Sequence, residues 1–103
     1  MPTKSKRKTE LKIESLIIMI RGERVILDSD LARVYGETTA RFNQQVRRNA
    51  ERFPTDFMFE LTKDEFIRLM LQTATSKEGR GGRRTLPLVF TEHGAIMAAN
   101  VLN

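Results

Sequence analysis

The sequence predicts an α+β fold: a small β-hairpin or sheet packed with a helix–turn–helix-like pair and two further helices. Three observations predict it. Short runs of Ile, Val, Leu and Phe, of strand length, alternate with segments whose apolar residues recur at helical spacing. Cap and stop residues fall between those segments, at Thr38, Gly36, Pro54, Thr62 and Thr91. A chain of 103 residues that is 40% hydrophobic has room for one domain with a small core.

The elements follow in order. Residues 1–12 are polar, basic and aperiodic, and read as a disordered arm preceding a domain over 13–103. Ile13 to Ile20 is rich in Ile and reads as a strand. Arg21 to Arg24 reads as a turn around Gly22, and Val25-Ile26-Leu27 as the return strand of a hairpin. Asp28 or Ser29 is positioned to cap a short helix, and Gly36 to end it in the left-handed region. Thr38 or Thr39 caps a second helix running to Glu51 or Arg52, where Pro54 biases Phe53 to an extended backbone. Phe57 to Leu61 reads as a third strand. Thr62-Lys63-Asp64-Glu65 fits a capping box and opens a helix on Phe66, Leu69 and Met70. Thr73 to Thr85 reads as a loop, Leu86 to Phe90 as a fourth strand, and Thr91 as the cap of a last apolar helix. A chain that stops inside an apolar helix suggests a fragment of a longer protein, or a helix end that packs on a partner.

Charge narrows the function. Lys and Arg number 18 against 13 Asp and Glu, a formal net charge of +5, which favours polyanionic partners. The excess is uneven. Residues 1–13, 38–53 and 75–90 are each basic, and 54–72 is acidic. There is no Cys, hence no disulfide, thiolate metal site or cysteine nucleophile. The apolar run Leu16 to Ile20 is too short for a secretory signal or a membrane span, so a cytoplasmic protein is expected. His93 is the only His and no nucleophile motif accompanies it, so neither an enzyme nor a cofactor or metal is expected.

The segment Asp28 to Arg52 carries the functional signal. Ala32 and Gly36, four residues apart, have the spacing of the close-packed turn between two helices of a helix–turn–helix unit. On the second helix, at about 100° per residue, Phe42, Val46, Asn49, Ala50 and Phe53 share one face. Arg41, Gln44, Arg47 and Arg48 fall opposite, with Gln45 and Arg52 on one flank and Asn43 on the other. Guanidinium groups suit phosphates and guanine edges, and carboxamides suit adenine edges, so this face reads as a DNA reader. An ordinary solvated helix also carries Arg and Gln, but usually with interspersed Glu, which this face lacks. Asn49 projects to the packed side and reads as structural. The loop residues Lys77, Arg80, Arg83 and Arg84, among glycines, suit contacts to the phosphate backbone. A solvated loop without a partner explains them equally well.

The runs IRGERVILDSDLARVYG, RFNQQVRRNAERFPTDFMFELTKDE and LPLVFTEHGAIMAANVLN together resemble the ORF-six-N domain of phage antirepressor-type proteins, a relative of the KilA-N and Bro-N domains. RRNAERFP, FMFELT and FTEHGAI are distinctive in combination. The resemblance spans roughly residues 13 to 103. It implies an α+β fold, DNA binding, a role in lysogeny or prophage gene control, and a chain that continues past Asn103. The expected partner is therefore double-stranded DNA, with a protein partner or homo-oligomer as the second option. A repressor or C-terminal partner would dock on the apolar last helix. No membrane and no small-molecule substrate is expected.

Overall fold

The computed structural model describes residues 13–72 and 85–102. The strands are β1 (Ile17–Ile20), β2 (Glu23–Leu27), β3 (Met58–Glu60) and β4 (Leu88–Phe90). The helices are α1 (Asp28–Val34), α2 (Thr39–Arg48), α3 (Lys63–Gln72) and α4 (Glu92–Val101), with a 3-10 turn at Ala50–Arg52. All strand pairs are antiparallel and the sheet order is β1-β2-β4-β3. The fold is α+β, as the sequence predicts.

Strand β4 enters between β2 and β3, with Leu27 opposite Val89 and Phe59 opposite Val89 on the other side. Strand β4 and the Val25–Leu27 end of β2 are buried on both faces, which explains the uninterrupted apolar runs Val25-Ile26-Leu27 and Leu88-Val89-Phe90. Alternate residues divide between two clusters. Ile26, Leu88 and Phe90 pack with Leu31, Ala32, Phe42, Val46, Phe53 and Ala98 from α1, α2 and α4. Val25, Leu27 and Val89 pack with Leu61 and Leu69, covered by α3. Phe90 meets Phe42 and Phe53 edge-on at 5.3 and 6.0 Å, so one strand residue anchors both ends of the segment carrying α2.

Several boundaries differ from the sequence reading. Residues 13–16 are helical, and the first strand begins at Ile17. The reason is pairing: β2 gives way to α1 after Leu27, so a strand reaching back to Ile13 would have no partner. The hairpin loop is only Arg21-Gly22, both at positive φ (56° and 75°), while Glu23 and Arg24 belong to β2. That two-residue geometry suits the twist of an antiparallel pair. Arg21 is a costly residue there, and its side chain compensates. The guanidinium stacks 4.2 Å over Phe59 and bonds Glu65 with Nε–Oε2 2.8 Å and Nη2–Oε1 3.1 Å. Asp28 and Ser29 do not cap α1. Leu27 occupies the cap position without a side-chain bond, and Asp28 is fully buried within the first turn. The capping box at Thr62 and Glu65 is formed in both directions, at 2.8 and 3.1 Å.

Two predictions follow from this packing. The Arg21 hydrogen bond, and next the Thr62 backbone amide, lower the Glu65 carboxyl from the ordinary 4.5 to about 2. A group depressed on folding stabilises above its unfolded value and loses that contribution as pH falls towards the folded one. Urea melts should therefore show an acid-dependent loss between about 4.5 and about 2 that Glu65→Gln abolishes, the variant being less stable at neutral pH. Gly94 lies in the first turn of α4 with its α-carbon against the Phe57 carbonyl, where an added Cβ would overlap the backbone oxygen. Gly94→Ala should cost about 1–3 kcal/mol or more in urea denaturation, whereas Gly22 has open space but a positive φ.

Candidate nucleic-acid interface

The turn before α2 is built by Gly36 at φ 75°. Gly36 N donates to Arg33 O at 3.1 Å and Glu37 N to Ala32 O at 2.8 Å, the double closure of a Schellman motif. Ala32 is 1% exposed beneath it. Thr38, not Thr39, caps α2: its Oγ1 accepts from Arg41 N at 3.2 Å. Phe42 and Val46 sink into the core at 0% and 1% exposure, and this fixes which face of α2 turns outward.

That outer face carries Arg41, Gln44, Arg47 and Arg48, all exposed, which with Ala40 line one open depression. The structure thus brings together the four residues that helical projection placed opposite the core. Arg41 is partly neutralised by Glu37, which lies just before the cap of α2 with its carboxylate 3.6 Å from Arg41 Nε. Arg47 and Arg48 have no ion-pair partner among the described residues. The acidic residues Asp64 and Glu65 stand on α3, against the opposite face of the sheet.

Other predicted residues fare differently. Gln45 is half-buried on the flank. Arg52 is exposed but sits on the 3-10 turn, outside α2, so the helical projection does not apply to it. The helix stops at Arg48 because Asn49 Nδ2 donates to Gln45 O at 2.8 Å. The side chain thereby takes the carbonyl that continuing the helix would use, and the Asn49 amide shifts to Val46 O. Asn49 is structural, as its projection to the packed side suggested. Lys77, Arg80, Arg83 and Arg84 lie outside the described residues, as do residues 1–12.

Sequence reading missed one group. Asp28 Oδ2 accepts from Asn43 Nδ2 at 3.0 Å and from Leu88 N at 3.1 Å, and Oδ1 accepts from Ser29 N at 2.6 Å. An Asp between a strand and a helix carries the signal of a cap. Only the placement of Leu88 beside it, which local sequence does not encode, reveals the other role.

A model of the ORF6N domain matches residues 15–101, nearly the whole chain. The chain belongs to the ORF6N family. No curated protein and no solved structure matches it. Membership agrees with a phage-type regulatory domain, and the ORF6N match runs from the helical turn before β1 through the end of α4. Among the described residues of this ORF6N domain, no helix is long and apolar enough to cross a membrane.

The capping geometry separates two neighbouring threonines. Thr38→Ala should destabilise the domain by about 1 kcal/mol in urea melts, while Thr39→Ala should change stability little.

Proposed function

We propose that this ORF6N domain binds double-stranded DNA with α2 in the major groove, as the reading module of an antirepressor-type regulator of phage or prophage genes. The observation that supports it is the single exposed face of Arg41, Gln44, Arg47 and Arg48, held outward by Phe42 and Val46. Arg pairs bidentately with guanine O6 and N7, and Gln with adenine N6 and N7. An α-helix of this size fits the major groove, and a face without acid avoids repelling phosphates. The basic segments at 1–12 and 76–85 add charge available to the backbone.

A second reading, a module that docks a protein, draws on Ile96 (58% exposed) and Val34 (36% exposed) beside a groove of about 480 Å³. Most of the apolar character of α4 supports its own core, however: Ala98 is fully buried, and Ala95, Met97, Val101 and Leu102 pack against the same cluster.

Fluorescence anisotropy with a duplex enriched from a randomised pool, and with the unselected pool, tests the DNA reading. Log K should fall with log salt by about 0.9 per phosphate neutralised. Gln44→Ala or Arg48→Ala should cost about 1–3 kcal/mol on the enriched duplex and relax one position of its sequence. Equal loss on both probes for every α2 variant would remove base reading. Undiminished DNA binding after reversing Arg41, Arg47 and Arg48 to Glu would remove α2 from the interface altogether.

A further inference from the structure

Asp28 touches three elements with one carboxylate: the start of α1 through Ser29 N, the first residue of β4 through Leu88 N, and α2 through Asn43 Nδ2. Asn43 is the residue between Phe42, which is locked in the core, and Gln44, which faces out. We propose that Asp28 and Asn43 form a latch that sets the rotation of α2 about its own axis, making both positioning residues for sequence reading. The role rests on the DNA reading above; the latch itself does not.

Two kinds of restraint act on α2. Phe42 and Val46 select which face of α2 turns outward, but apolar contact is less strict about angle than a hydrogen bond and leaves small rotations about the axis open. A hydrogen bond has a direction as well as a distance. A helix with its side chains has a radius of about 5–6 Å, so a turn of about 20° about the axis moves the outward side chains by about 2 Å. Base-edge hydrogen bonds do not survive a shift of that size. Phosphate attraction falls off slowly with distance and the long Arg side chains follow it, so backbone affinity tolerates the shift.

The site is also poorly arranged as a source of stability alone. Among the described residues, the buried Asn43 Oδ1 has no hydrogen-bond partner, and neither has the neighbouring Ser29 Oγ. Each such atom carries a desolvation cost that an apolar side chain would not. What Asn43 contributes instead is a fixed geometry to a fully buried carboxylate, which is in turn fixed to the central strand β4. The rigid sheet therefore passes its orientation to α2 through Asp28 rather than through the core alone.

The test uses the full chain, ¹⁵N-labelled, as wild type and as Asn43→Leu. Amide hydrogen exchange should quicken about tenfold across Phe42 to Arg48 while the β2 amides keep wild-type protection. On DNA, the preference for the wild-type-enriched duplex over the unselected pool should fall about tenfold. Affinity for the unselected pool should stay within about twofold, with the same salt slope. Wild-type α2 exchange and wild-type preference in the variant overturn the latch. Equal losses on both probes overturn the positioning role and leave only a contribution to stability. If Asn43→Leu does not fold, Asn43→Ser, which keeps a shorter donor, is judged by the same two readings. If wild type enriches no sequence, the DNA reading fails by itself. The exchange measurement then still decides the latch: faster exchange supports it and unchanged exchange overturns it.

Discussion

The fold depends on the insertion of β4 between β2 and β3. This strand has three residues, yet Leu88 and Phe90 complete one hydrophobic cluster and Val89 the other. Without it, nothing would join β3 to β2 in one sheet, and α2 would lose the ring on which Phe42 and Phe53 close. The pairing of Leu27 with Val89 spans most of the chain, so the entropy of closing that loop is met before either cluster is complete. A sheet buried on both faces is the means by which so short a strand repays that cost.

Polarity of the molecule follows from the same sheet. The face carrying α1, α2 and α4 presents the outward arginines of α2. The opposite face carries α3, whose Glu65 is engaged by Arg21 from the hairpin. Arg21 is thus used within the fold, as a strap from a strained turn to a helix, while Arg47 and Arg48 have no ion-pair partner among the described residues. Basic residues of equal formal charge are sorted into structural and available ones by where the chain places them. Net charge alone could not make that distinction.

Much of this was legible in the sequence. The α+β class, the hairpin, the Thr62–Glu65 capping box, the Gly36 turn and the outward set Arg41, Gln44, Arg47 and Arg48 all follow from local chemistry and helical period. The failures are of another kind. Residues 13–16 are helical because the neighbouring strand ends, which is a property of pairing and not of the Ile-rich segment itself. The early stop of α2, which removes Arg52 from the helix, comes from a side chain competing with the backbone at Asn49. Asp28 has the local signature of a cap, and its actual partners, Asn43 and Leu88, lie 15 and 60 residues away. Helical projection finds which residues share a face. It does not find what holds the helix at that rotation.

On the proposed function, the outward face of α2 is the surface this domain offers to DNA. The most direct measurement is a titration of the ¹⁵N-labelled chain with the unselected duplex pool, followed by amide and guanidinium chemical shifts. The expected result is a set of perturbations centred on Arg41, Gln44, Arg47 and Arg48 that fades as salt is raised, with α3 unaffected. Perturbations centred instead on Val34 and Ile96, or none on α2 at low salt, would contradict it.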